Sequence, residues 1–455
     1  MRAYKAGWVV VSHDDIRRDA AVLVDAGRIV DVVDAAGLAA AREGAVRSGG
    51  VLELEDLGAS ILMPGLVNAH MHQYGVLSHG IPQAKGVTDF DSFLRLWWWP
   101  DVEDRVRAEQ VLATTEWTMA EQLRSGVTSF CDILEAPYCE PDTLVAQGEA
   151  IERAGMRAVV SLESSERAGA EVGEACLAQN VRACERFAPT GGSFGDDVTA
   201  AAGLVRGAIC THTTFTCPEA MIARAAELAR EQGALLQFHL CESRYEGDWA
   251  RKHLGVSPVD VYERAGALGP ATLAAQCVKL TAGEIATLAA HGVQAAHPPI
   301  SNCEVGGGIA PVPDLVAAGM EPGLGTDGYV NDMFQVMREA CLIHKAARET
   351  TSTMPAGLVF RMATEWGARA MGLGGVGILR PGQAADMVAY ADAQPTPVTE
   401  GNVLDQLVVF GDSHHVSDVW VAGRRLMEHG ELTTIDEERA RDRMRSCAKR
   451  FWEGM

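Results

Sequence analysis

Two histidines two residues apart, His70 and His72, close the stretch "ILMPGLVNAHMHQYG". Further along, His239 and Glu242 stand three apart at the end of "ALLQFHLCES", and Asp327 sits in "PGLGTDG". Each follows a short apolar run that reads as a buried strand. A period of two puts His70 and His72 on one face of their strand. A lone buried histidine is ordinarily a structural hydrogen-bonding residue. Three histidines and an aspartate at strand ends are harder to explain that way. Neutral imidazole and carboxylate suit a divalent transition metal, zinc first and iron second, rather than magnesium or calcium. An uncompensated buried Asp327 is costly, and a dication offsets that cost.

Such a cluster needs a scaffold that gathers strand ends. Eight apolar strands are predicted: "LMPGLVNAHMH", "GVTSFCDI", "RAVVSLES", "VRGAICTHTT", "ALLQFHLCES", "ATLAAQCVKL", "GVQAAHPPIS" and "PGLGTDG". Amphipathic stretches such as "PEAMIARAAELAREQG" lie between them, several ending in the glycine that commonly stops a helix. Eight β/α units over residues 64–375 predict a (β/α)8 TIM barrel, whose chemistry lies at the C-terminal ends of its strands. The ends of the chain differ. Short alternating runs with glycine turns occupy residues 1–63 and recur in 376–455, predicting a small β-sandwich built from both termini, with a terminal helix.

The chain has 455 residues, 47% hydrophobic and 22% charged, the profile of a soluble globular enzyme. A formal charge of −22 argues against a nucleic-acid partner. No run approaches a membrane span, and the N-terminus shows no secretion signal. Eleven cysteines without a CxxC pair are expected to be reduced thiols in a cytoplasmic protein.

At the level of motifs the chain resembles the amidohydrolase superfamily. "PGLVNAHMH", "HLCES", "HPPISNCEVGGGIAP" and "LGTDG" are similar to its first, fifth, seventh and eighth strand segments, in the same order. The nearest branch is the cytosine deaminase-like and triazine hydrolase-like one. This resemblance implies one metal ion held by His70, His72, His239 and Asp327. The ion would activate a water, Asp327 would take its proton, and Glu242 would carry a proton to a ring nitrogen of the substrate. It also implies a homo-oligomer. The sixth strand departs from the pattern: that branch usually reads "LAHCV", and here "LAAQCVKL" places Gln276 at the histidine. A glutamine amide donates and accepts hydrogen bonds but does not ionise near neutral pH, so it can orient water or substrate without shuttling a proton.

Around this centre, "CTHTTFTCPE" resembles a family segment and so implies that His212 is a substrate contact, and His297 in "AAHPP", which matches a family histidine more positional than catalytic, is a further substrate-side candidate. Gln73, Glu135, Glu163 and Tyr329 are further candidates for the substrate side, with Trp98 of "LWWWP" available to stack on a flat heterocycle. Carboxylates after the second and third strands suit an amino- or guanidino-bearing substrate, although ion pairs or solvent exposure explain them more simply. Three functions follow: deamination of an aromatic N-heterocycle (a purine, pyrimidine, pterin or triazine), hydrolysis of an acyclic amide, urea or carbamate, and a non-catalytic scaffold. The small-molecule deaminase fits the motifs best.

Overall fold

The computed structural model describes residues 1–188 and 203–453. All eight predicted strands occur: β1 (Leu66–Met71), β2 (Val127–Leu134), β3 (Arg157–Leu162), β4 (Val205–Gly207, resumed at Ile209–Cys210), β5 (Leu236–Leu240), β6 (Thr272–Gln276), β7 (Gln294–His297) and β8 (Gly323–Leu324). β1 to β4 form one parallel run, and Ile209–Cys210 to β8 form a second. Two isolated parallel bridges complete the ring. Ser164 pairs with Thr211 beyond β3 and β4, and Met71 pairs with Asp327 beyond β1 and β8. The strands are buried throughout because helices cover them, which is why they read as continuous apolar runs.

The β1–β8 seam matters most, since it sets the first histidine pair beside Asp327. The Asp327 backbone N–H donates to the His70 carbonyl at 3.1 Å. Asn68 locks the same seam: its amide donates to Thr326 Oγ1 at 2.8 Å, and its carbonyl accepts from Thr326 N–H at 3.1 Å. Gly325 permits this approach, because a Cβ there would stand 2.6 Å from the His70 carbonyl oxygen. The "LAREQG" stop also occurs: Glu219–Gln232 ends at Gly233, in the left-handed region at φ 59°.

Strands from both termini join in one nine-stranded sheet running from Glu431–Leu432 through Met387–Tyr390 and Ile61–Pro64 to Arg28–Val33. Arg2–Ser12 and Val416–Val421 are separated by two strands in that order, about 14 Å if the sheet were flat. The rings of Tyr4 and Trp420, one from each, lie 5.0 Å apart, so the sheet curls onto itself around a shared core. A buried ion pair, Arg157 Nε to Asp386 Oδ2 at 2.9 Å, fastens this sheet to the start of β3. The terminal helix Glu437–Glu453 lies against Ala108–Arg124.

Candidate metal centre and active-site cavity

His70, His72 and His239 bring ligand nitrogens within 4.8 Å of one another at the barrel mouth. His72 Nδ1–H donates to the Ile133 carbonyl at 2.8 Å, leaving Nε2 as the free lone pair. That Nε2 lies 3.3 Å from His239 Nε2 and 3.0 Å from Asp327 Oδ1. The nitrogens of a tetrahedral zinc site, each about 2.0–2.1 Å from the ion, are about 3.3–3.4 Å apart. His70 Nε2 stands 3.7 Å from Asp327 Oδ1 and, although buried, has no hydrogen-bond partner. An orphaned buried imidazole nitrogen facing a carboxylate and two further imidazoles is the donor set of a metal ligand. The residues present therefore fit one zinc ion.

The electrostatics agree. Burial pulls His70 down to about 4, and burial with His70 and His72 nearby holds His239 well below its ordinary value, so both are neutral donors. Burial also disfavours charge on His72, but Glu135 and Asp327 outweigh it and raise His72 to about 10. Burial opposes ionisation of Asp327 as well, yet His72, His70 and His239 hold it well below the carboxylate range. The field here is that of a cation site.

Gln276 and Asp327 both leave their strands through left-handed backbone, φ 76° and 59°. These turns aim the Gln276 amide at Asp327, and Nε2 donates to Oδ2 at 2.5 Å. Oδ1 takes the Gly328 N–H at 2.9 Å. Gln276 thus occupies the expected place and holds the carboxylate as an acceptor. Glu242 lines the same cavity; burial, then Asp327 and Glu135, push its carboxyl well above the usual range.

The cavity has a volume of ≈ 610 Å³ and contains His72, His212, His239, Glu242, Gln276 and Asp327 on its floor. Its cover is the stretch Phe90–Phe93 and the π-helical Leu94–Val102, which contribute Phe90, Phe93, Trp97 and Trp98. Phe93 stacks on Trp98 with centroids 5.3 Å apart, and Trp98 Nε1 donates to Tyr74 Oη at 3.0 Å. Tyr74 in turn donates to Glu135. Trp99 turns away, packed under the guanidinium groups of Arg95 and Arg167. Tyr329, 39% exposed, lies at the rim, and His212, neutral through burial, is fixed by Thr216 Oγ1 at 2.9 Å from its Nδ1.

Three expected substrate contacts are placed elsewhere. Gln73 turns into the core, where its Oε1 accepts from Gln147 at 3.0 Å and its N–H donates to Asp132; the start of a short 3-10 helix at this residue rotates it away. His297 faces His344, Nε2 to Nε2 at 3.1 Å, and does not line the cavity. Glu163 stands one layer behind the lining, 3.8 Å from His212 Nδ1. Sequence reasoning missed Tyr74, Glu103 and Glu246. Glu246 has a legible signal, lying one helical turn after Glu242 in "ESRYEG". Its carboxylate accepts Thr214 N–H and Oγ–H at 2.9 and 2.8 Å and Cys241 N–H at 2.5 Å, tying the turn after β4 to the turn bearing Glu242.

Residues 61–426 match the amidohydrolase family. The chain belongs to that family. It is 32% identical over 387 residues to a 5-methylthioadenosine/S-adenosylhomocysteine deaminase of Pelotomaculum thermopropionicum, covering 83% of each chain. It is 32% identical over 438 residues to a 5'-deoxyadenosine deaminase of Methanothermobacter thermautotrophicus, covering 94% of each. The crystal structure of an adenosine deaminase from Xanthomonas campestris with bound zinc superposes with a TM-score of 0.86 at 26% identity, over 99% and 98% of the two chains. An atrazine chlorohydrolase from Arthrobacter aurescens, complexed with zinc, shares the fold at TM-score 0.84 and 22% identity, over 98% and 100%. This amidohydrolase is accordingly a metal-dependent hydrolase of carbon–nitrogen bonds, and its His70, His72 and His239 are placed to hold one metal ion. Among the described residues no helix is long and apolar enough to cross a membrane.

Proposed function

We propose that this amidohydrolase deaminates the 6-amino group of adenine nucleosides. One observation carries the reading: the buried carboxyl groups of Glu242 and Asp327 line one aromatic-covered cavity together with His72 and His239 of the three-histidine cluster. The cavity volume falls in the about 300–1,000 Å³ range of small-molecule sites. The three deaminases named above are named for methylthioadenosine and S-adenosylhomocysteine, 5'-deoxyadenosine and adenosine, and the chain spans most of their length.

His70, His72, His239 and Asp327 would hold the ion. When bound, zinc lowers the pKa of a coordinated water and so supplies a nucleophile near neutral pH. The remaining work falls to the chain's own residues. Asp327, kept as an acceptor by the Gln276 amide, takes a proton from the attacking water. Glu242 donates its proton to the ring nitrogen next to the reacting carbon, so negative charge does not build on the ring. The carbon–oxygen bond forms; Asp327 passes the proton it took to the exocyclic amino group, that carbon–nitrogen bond breaks and ammonia leaves, while the remaining hydroxyl proton returns to Glu242 and a 6-oxo ring remains. Phe93, Trp97 and Trp98 cover the planar substrate and exclude water.

The test is ammonia release by zinc-loaded protein across adenine nucleosides, aminopyrimidines, pterins, triazines, ureas and carbamates. Ammonia from adenine nucleosides is expected. Amine release from a urea or carbamate, with no nucleoside turned over, overturns the assignment. The same reading includes a cytoplasmic, oligomeric enzyme; its support is eleven unpaired cysteines and the family resemblance.

A further inference from the structure

The amide of Gln276 has two ends, and the mechanism so far uses one. Nε2 donates to Asp327 Oδ2 at 2.5 Å. The residue is 1% exposed and lines the cavity, and its buried Oε1 has no hydrogen-bond partner. Two other buried amides of the barrel are bonded at both ends. Gln122 accepts from Asn68 and donates to Asn331, and Gln237 donates to Ser161 Oγ and accepts from Cys131. Gln73 and Gln147 each leave one amide atom unpaired, but neither lines the cavity.

Among the described residues of the lining, Trp97 Nε1, His239 Nδ1 and Gln276 Oε1 are the buried polar atoms without a partner. The indole N–H can only donate. His239 turns Nε2 toward His72, so its Nδ1 carries the proton and donates as well. Gln276 Oε1 is therefore the one acceptor of the three. The bond to Asp327 fixes which end of the amide faces the carboxylate. The two ends of a planar amide are about 2.2 Å apart, so Oε1 lies within about 5 Å of Asp327 Oδ2. A buried carbonyl oxygen with no donor is destabilising, and a donor that reaches this one arrives through the cavity. The amino group that receives a proton from Asp327 must come close to that carboxylate, and it carries N–H donors.

We propose that Gln276 Oε1 accepts an N–H of the leaving amino group, and that Gln276 thereby selects amino over halide, alkoxy or alkylthio groups at the same ring carbon. As the proton arrives from Asp327, the nitrogen gains an N–H and positive character, and its bond to Oε1 strengthens. The carbon–nitrogen electron pair then leaves with the nitrogen as ammonia. Chloride or an alkoxy oxygen offers no N–H and presents lone pairs to the carbonyl oxygen. This inference rests on the deaminase reading and names a determinant of its leaving-group choice.

Adenosine and 6-chloropurine riboside test it, each turned over by zinc-loaded wild type and Gln276→His. The imidazole keeps one N–H for Asp327, and its second nitrogen lies across the ring, so the adjacent acceptor is lost while the donor's larger share stays. The ratio of kcat/KM for adenosine to that for the chloride is expected to fall about three- to tenfold in Gln276→His, the span of a net neutral hydrogen bond. A ratio unchanged within twofold, or raised, overturns the proposal and leaves the deaminase assignment standing. Calorimetry on zinc-loaded Glu242→Gln, whose slow turnover lets binding be read, supplies a second measurement. Adenosine should bind at least threefold more tightly than 6-methylpurine riboside, which has the same shape but neither an N–H nor a leaving group at that carbon. That preference should fall below twofold when Gln276→His is added. If no nucleoside releases ammonia, the deaminase reading fails and the binding comparison decides, as it does if Gln276→His does not fold. A preference for the amino compound supports the proposal; equal affinities, the reverse order or no binding overturn it.

Discussion

Replacing Gln276 by methionine removes one hydrogen bond from the centre and little volume. In the wild type, Asp327 Oδ2 receives the Gln276 amide at 2.5 Å, and Oδ1 receives Gly328 N–H. Methionine leaves Oδ2 without that donor in a site where Asp327 is 6% exposed. A hydrogen bond to a charged group contributes about 1.5–3 kcal/mol. If the whole of it is expressed in the transition state, kcat/KM falls about 10- to 150-fold. The assay is ammonia release per zinc-loaded site, with zinc content and thermal midpoint measured on the same sample. The expected result is full zinc occupancy, a small change in midpoint and a fall concentrated in kcat. Gln276→His, which keeps a ring N–H, should recover activity to within about tenfold of wild type, since the donor and not the amide is what matters. A Gln276→Met enzyme with kcat/KM within threefold of wild type at full occupancy refutes the reasoning.

The other predictions follow from the same geometry. His72→Ala removes the imidazole whose Nε2 lies 3.3 Å from His239 and 3.0 Å from Asp327, and elemental analysis should find little bound zinc and no turnover. Glu242→Gln should bind zinc stoichiometrically yet lose about 10²–10⁴-fold in kcat, the range of a lost general acid. Loss of zinc in that variant would instead make Glu242 a ligand. Because burial raises the Glu242 carboxyl above the ordinary range and its acid form is the donor, activity should hold below that raised pKa and fall as pH climbs through it. A flat kcat/KM profile well beyond the carboxylate range contradicts that role. Glu246→Ala strands three buried donors and should cost about 3–5 kcal/mol, visible as a lower denaturant midpoint.

Much of the barrel was legible because parallel strands buried on both faces leave uninterrupted apolar runs, and their ends carry the polar residues. The metal cluster was legible for the same reason: His70, His72, His239 and Asp327 each follow such a run. Side-chain direction just past a strand end was not. Gln73 follows His72 directly, yet a helical turn and the Asp132–Gln147 pair draw it inward. His297 ends β7 as His239 nearly ends β5, but a histidine on the helix Met333–Arg348 takes it. Both outcomes depend on partners distant in sequence. The role of Gln276 lay between these cases. Its position was read from the strand motif, while its bond to Asp327 depends on two left-handed turns that neither residue type announces. The terminal strands could likewise be read singly, whereas the contact of Tyr4 with Trp420 needed the curled sheet.

The central claim is hydrolytic removal of an amino group by this cluster. Turnover of an adenine nucleoside by the zinc-loaded protein in ¹⁸O-labelled water, read by mass spectrometry, tests it most directly. The account predicts one labelled oxygen in the 6-oxo product and one ammonia per product. An unlabelled product, or a nucleoside returned unchanged while an acyclic amide or urea is cleaved, would contradict it.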